Sequence, residues 1–155
     1  TKAYLIKSSE FYSGSRKIQM RKQNKIYVLD AGIRNGVSDY LDESLLKDDT
    51  ELGKIVQSII FDHLARLKFN LEPAPEPDIL YWMNKKEIDF IIELKRKAIP
   101  IESKFRSTLP DATIQEIKYF MKKNTSPFGI VVTKDLYKVE DNILRIPFWL
   151  FLSLV

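Results

Sequence analysis

Apolar residues recur every three to four positions between 50 and 69. Leu52, Ile55, Val56, Ile59, Ile60, His63, Leu64 and Leu67 fall on one stripe. That period predicts an α-helix over 50–69 with one buried face. Asp49 or Thr50 can cap its start, and Glu51 suits the positive end of its dipole. The run Glu72-Pro73-Ala74-Pro75-Glu76-Pro77 cannot continue a helix and predicts a loop. Strands follow over 79–83, 87–94 and 98–105. Pro110-Asp111 introduces a second helix over 112–123, with Ile114, Ile117, Phe120 and Met121 on its inner face. Phe128 to Thr133 is an apolar, β-branched run of the kind that forms a buried strand, and Ile143 to Ile146 is a short strand ended by Pro147. Short strands over 3–6 and 26–29 flank a polar, basic stretch containing Ser13-Gly14-Ser15. Helix, three strands, helix, strand predicts an α/β fold: a central mixed sheet flanked by helices.

Charges interrupt two of these strands. Asp89 stands between Ile88 and Phe90, and Glu102-Ser103-Lys104 follows Ile101 on the next strand. Strand side chains alternate faces, so Glu102 and Lys104 point one way and Ser103 the other. If the two strands form a hairpin about Arg96-Lys97, Asp89 faces Lys104 and lies diagonal to Glu102. Opposed residues sit about 5 Å apart and diagonal ones roughly 7–8 Å. Two carboxylates at that range can grip one divalent cation, with a lysine beside them to polarise water or phosphate. A charge embedded in an apolar strand is costly unless paired or metal-bound. The plainer readings are an exposed edge-strand face, or a salt bridge from Asp89 to Lys104.

Composition narrows the chemistry. The 155 residues suffice for one domain with a sizeable core. No apolar run reaches the roughly 18 residues needed to span a bilayer, and no signal peptide is visible, so a cytoplasmic protein with no membrane association is expected. The chain has no cysteine and one histidine, which excludes disulfides, thiolate sites and multi-histidine zinc. Any metal site must use oxygen ligands, which favours Mg²⁺ or Mn²⁺. A net charge of +4 fits a nucleic-acid partner. The basic clusters, such as Lys85-Lys86 and Lys95-Arg96-Lys97, also read as solvated turns. No glycine-rich nucleotide loop is present, so no ATPase activity is expected from this chain.

The spacing Asp89-x12-Glu102-x-Lys104 resembles the PD-(D/E)XK nuclease superfamily. Lys25-Ile26-Tyr27-Val28-Leu29-Asp30-Ala31-Gly32, Leu52-Gly53-Lys54-Ile55-Val56, Tyr81-Trp82, Glu87-Ile88-Asp89-Phe90 and Pro100-Ile101-Glu102-Ser103-Lys104 occur in that order. The ordered set resembles the C-terminal nuclease-like domain of the archaeal ATPase family, in which it follows a P-loop AAA-type ATPase domain and a winged helix. The resemblance implies a restriction-endonuclease-like core over 25–155. Residues 1–24 are then an appendage, the possible end of an upstream winged helix. It also implies Asp89, Glu102 and Lys104 as catalytic residues. Asp89, Glu102 and the backbone carbonyl of Ser103 would hold the metal, and Lys104 would orient the attacking water or steady the charge on phosphate. DNA and an upstream ATPase domain of the same polypeptide are the expected partners. A homodimer is compatible with the resemblance, since nuclease-fold domains often dimerise.

Other candidates rank lower. Glu87 shares a face with Asp89 if the strand is regular, and is a secondary site residue. Gln57 is the main departure: family members commonly carry a glutamate at this helix position. An amide there removes one negative charge, so a degenerate domain that only binds DNA or a protein partner is the alternative function. Glu93-Leu94-Lys95 repeats the Glu-x-Lys pattern but falls at the hairpin tip, and Pro77-Asp78 falls in the proline-rich loop. His63 reads as a packed helix residue. Tyr81-Trp82 can stack on a base but reads better as core. Phe148-Trp149-Leu150-Phe151-Leu152 reads as core, or as a dimer or domain interface.

Overall fold

The computed structural model describes residues 5–37, 47–73 and 78–154. The start of the first expected strand, at 3–4, and most of the proline-rich loop, including Pro77, lie outside the described residues.

Strands β1 (Ile6–Ser9) and β2 (Lys25–Val28) form an antiparallel pair, with the short helix α1 (Arg16–Gln19) between them. Helix α2 (Ala31–Val37) precedes the long helix α3 (Asp49–Leu71). A six-stranded mixed sheet follows in the order β3-β4-β5-β6-β8-β7. Its strands are β3 (Ile79–Met83), β4 (Glu87–Leu94), β5 (Lys97–Lys104), β6 (Gly129–Thr133), β7 (Lys138–Glu140) and β8 (Ile143–Pro147). Helix α4 (Asp111–Asn124) joins β5 to β6, and α5 (Phe148–Phe151) closes the chain. The β5-α4-β6 crossover makes β5 and β6 parallel, while β3, β4 and β5 form an antiparallel meander.

Two cores sandwich the sheet. On one face, α3 lays Val56, Ile60, Phe61 and Leu64 against Phe90, Ile92, Ile99, Ile101 and Val132. On the other, α4 lays Ile117 and Phe120 against Ile88, Ile91, Ala98 and Val131. Asp48, one residue earlier than expected, caps α3 by accepting hydrogen bonds from the amides of Thr50 and Glu51. Glu51 in the first turn pairs with Arg34 and Lys54, and so ties α2 to α3.

The described part of residues 1–24 is packed rather than appended. Phe11 is buried in the α4-side core and forms a parallel bridge with Tyr81. The Tyr12 amide donates to the Tyr81 carbonyl, covering the β3 edge. β1 pairs with β2 across the expected boundary at Lys25, and Tyr27 of β2 stacks on Phe61 at 4.5 Å. The β1 strand itself lies further along the chain than expected.

Two local departures set the site. The β4–β5 turn is Lys95-Arg96, both at positive φ, not Arg96-Lys97. That is the two-residue turn whose twist matches a hairpin. β4 also carries a bulge: Leu80 pairs with Ile91 and Trp82 with Ile88, so β4 spends one more residue than β3 between the two pairs. The extra residue resets the alternation. Ile88 and Ile91 both face α4, while Phe90 and Ile92 face α3.

Candidate active site at the β4–β5 fork

The β4–β5 ladder pairs Phe90 with Ile101 and stops there. Beyond that point each carboxylate takes over as a cross-strand link. The Asp89 amide donates to Glu102 Oε2 at 3.0 Å, and the Ser103 amide donates to Asp89 Oδ2 at 3.0 Å. Asp89 is therefore a neighbour of Glu102, and not the partner of Lys104 that a turn about Arg96-Lys97 requires. A regular strand would also put Ile91 on the face of Asp89, and the bulge at Asp89-Phe90 breaks that alternation.

Both acids are removed from water: Asp89 is 3% exposed and Glu102 is 5%. Burial raises the Asp89 carboxyl above its ordinary range, against the pull of Lys104 and Lys25. Burial, reinforced by the Asp89 charge, raises Glu102 to about 7, against the pull of Lys104. Lys104 Nζ lies 2.6 Å from Glu102 Oε1. Burial works against the Lys104 charge, but Glu102 and Asp89 outweigh it and hold the ammonium above the usual lysine value. Lys104 is thus a fixed positive charge rather than a proton acceptor.

Gln57 reaches the site from α3, where its Nε2 donates to Asp89 Oδ1 at 3.1 Å. Glu87 is held by Lys25 at 2.5 Å, and the same ammonium stands 3.8 Å from Asp89 Oδ1. These side chains and the first turns of α4 enclose a cavity of about 320 Å³, lined by Gln57, Glu87, Asp89, Glu102, Lys104 and Glu116, among others.

Asp89, Glu102, Lys104, Glu87 and Gln57 are thus brought together, as the sequence pattern requires. Lys25 and Glu116 were not foreseen as site residues. Lys25 is remote in sequence and carries no local signal. Glu116 did carry one, as an acid four residues before Phe120 on the inward side of a helix. Tyr27 also borders the site. Burial, then Asp89, Glu87 and Glu102, raise its hydroxyl, which has no hydrogen-bond partner among the described residues.

The competing motifs fall elsewhere. Glu93 is exposed opposite Ala98, and Lys95 forms the turn. Asp78 is exposed, and its carbonyl accepts from Lys68. His63 packs against Phe151, and burial lowers its pKa. Tyr81 and Trp82 are core residues. Phe151 is fully buried, whereas Trp149 is 66% exposed.

Among the described residues, no three His, Cys, Asp or Glu side chains converge as metal ligands. The donors that can receive a cation are the Asp89 and Glu102 carboxylates and the Ser103 carbonyl. A strand residue presents its N–H and C=O to the same side, so the Ser103 carbonyl faces β4 beyond the end of the ladder. This all-oxygen set fits a hard cation such as Mg²⁺ or Mn²⁺ that keeps part of its water.

Among the described residues, no helix is long and apolar enough to cross a membrane. A model for a domain of unknown function, DUF4143, matches residues 52–151, from the first turn of α3 to the end of α5. Domains of this kind are typically the C-terminal region of ATPase-containing proteins. No curated protein and no solved structure matches the chain. The match takes in every site residue but Lys25 and Tyr27 and covers more than half of the chain, which therefore belongs to the DUF4143 domain family.

Proposed function

We propose that this domain is a divalent-metal-dependent DNA nuclease-like module of the PD-(D/E)XK type, acting as the C-terminal part of an archaeal ATPase. The observation that carries the reading is the Asp89–Glu102 fork. Two nearly dry carboxylates are pinned to each other's strands, with the Lys104 ammonium 2.6 Å from one of them. The α3-β3-β4-β5-α4-β6 order also supports a restriction-endonuclease-like core.

In this reading Asp89, Glu102 and the Ser103 carbonyl would hold the cation, which would supply positive charge at the scissile phosphate. Asp89 and Glu102 must be ionised to do so; Lys104 favours that state at both, and Lys25 at Asp89, against the cost of burial. Lys104, beside Glu102, would be the group that meets negative charge building on the phosphate oxygens. It stabilises that charge without giving up its proton. The bonds from Asp89 and Ser103 amides fix both carboxylates before any ligand arrives, so little reorganisation is needed.

A second reading is favoured by Gln57. Its amide occupies one side of Asp89 where a further carboxylate would strengthen cation binding. On that reading the domain keeps the nuclease fold but only binds DNA or a protein partner.

Incubation of the protein with duplex DNA and Mg²⁺ or Mn²⁺ separates the two. The nuclease reading expects cleavage that stops with EDTA and in Asp89→Ala. DNA retention without cleavage in either metal favours the binding module.

A further inference from the structure

Glu116 is the charged residue that α4 turns inward. It is 9% exposed and shares the buried side of the helix with Thr113, Ile117 and Phe120. It lines the same cavity as Asp89, Glu102 and Lys104. Its Oε1 is buried and has no hydrogen-bond partner among the described residues. Neither lysine that lines the cavity pairs with it: Lys104 is engaged by Glu102, and no ion pair joins Lys86 to Glu116 among the described residues. A buried carboxylate left this way is unfavourable unless something entering the cavity satisfies it.

The backbone beside it is also closely packed. A β-carbon on Gly129 would lie 2.6 Å from Ile117 Cγ2, so β6 and α4 are in close contact one residue from Glu116. Glu116 does not join Asp89 and Glu102 as a direct ligand group. Hard divalent cations keep several waters, and a carboxylate set back from the ligands can accept hydrogen bonds from that shell.

We propose that Glu116 is a positioning residue that holds the hydration shell of a divalent cation bound at Asp89 and Glu102, from the α4 side, and supplies the negative charge that Gln57 lacks. This rests on the metal-dependent reading above.

The test is Mn²⁺ titration of the whole chain by calorimetry, with melting curves taken without metal. The proteins are wild type, Glu116→Gln, Asp89→Ala/Glu102→Ala and Gln57→Glu/Glu116→Gln. Glu116→Gln should weaken Mn²⁺ about 10- to 100-fold, the usual range for partners behind the direct ligands. Its metal-free melting temperature should hold or rise, because the isosteric amide removes an unpaired buried charge. Gln57→Glu in that background should recover affinity. Wild-type affinity in Glu116→Gln, beside loss in Asp89→Ala/Glu102→Ala, overturns the role of Glu116 and leaves the metal site standing. A lowered metal-free melting temperature in Glu116→Gln makes the residue structural and overturns it as well. No Mn²⁺ uptake by wild type overturns this inference together with the reading beneath it.

Discussion

Gln57 donates from Nε2 to Asp89 Oδ1 at 3.1 Å, which joins the long helix to the buried acid of the bulged strand. A carboxylate in its place would face Asp89 as a like charge. Gln57→Glu should therefore lower metal-free stability by about 1–3 kcal/mol and tighten Mn²⁺ binding. Urea unfolding and calorimetric titration check the two effects. An unchanged Mn²⁺ affinity would separate residue 57 from the cation site.

Lys104 is charged, half-shielded and paired with Glu102. Lys104→Ala should abolish DNA cleavage, because the fixed charge beside the phosphate is lost, and leave DNA binding largely intact. Parallel cleavage and mobility-shift assays test this. A Lys104→Ala protein that cleaves normally rules out the role.

The Glu102 carboxyl sits at about 7 instead of 4.5. Between those values the folded state holds a proton that the unfolded chain has released. Metal-free stability should then be greatest below that window and fall as pH rises through it, by a few kcal/mol at most. The raised Asp89 carboxyl acts in the same direction. Glu102→Gln should flatten the slope, as melting temperatures at pH 5 and pH 8 will show. Because cation ligands must be ionised, Mn²⁺ affinity should rise over the same pH range. A wild-type melting temperature equal at the two pH values contradicts the burial of these charges.

Gly129 lies where α4 crosses β6, with Ile117 Cγ2, Met121 Sδ and Pro100 Cγ around the position of a side chain. Gly129→Ala should cost about 1–3 kcal/mol by forcing α4 off the sheet. Denaturant midpoints measure it, and an undiminished midpoint would mean that the helix shifts freely.

Lys95 and Arg96 occupy a two-residue turn with φ of 48° and 63°. Asparagine and glycine adopt that geometry more readily. Lys95→Asn/Arg96→Gly should raise stability by about 0.5–1 kcal/mol with no change at the distant site. Urea midpoints and Mn²⁺ titration check both halves, and a lowered midpoint would contradict the turn assignment.

These residues also show where sequence reasoning succeeds and stops. The helices α3 and α4 are legible because their apolar period is long and regular, and the strands from β3 to β6 because their apolar runs are bounded by turns and prolines. Register is a different matter. A turn built from Lys95-Arg96 carries neither glycine nor asparagine, so the two-residue hairpin has no chemical marker. The bulge at Asp89-Phe90 is equally unmarked. Together they move Asp89 from Lys104 to Glu102 while keeping all three side chains at one fork. β7, α1, α2 and α5 are too short for periodicity to speak. Lys25 arrives from a separate two-stranded sheet, a tertiary fact with no local signature.

Everything proposed for this domain turns on Asp89 and Glu102 forming one cation site. The decisive measurement is calorimetric titration of Mn²⁺ into wild type and Asp89→Ala/Glu102→Ala, with DNA cleavage followed on the same samples. Wild type should bind Mn²⁺ and cleave DNA in a metal-dependent way, and the double variant should do neither. Absence of binding at millimolar Mn²⁺, or binding that survives loss of both carboxylates, would contradict this.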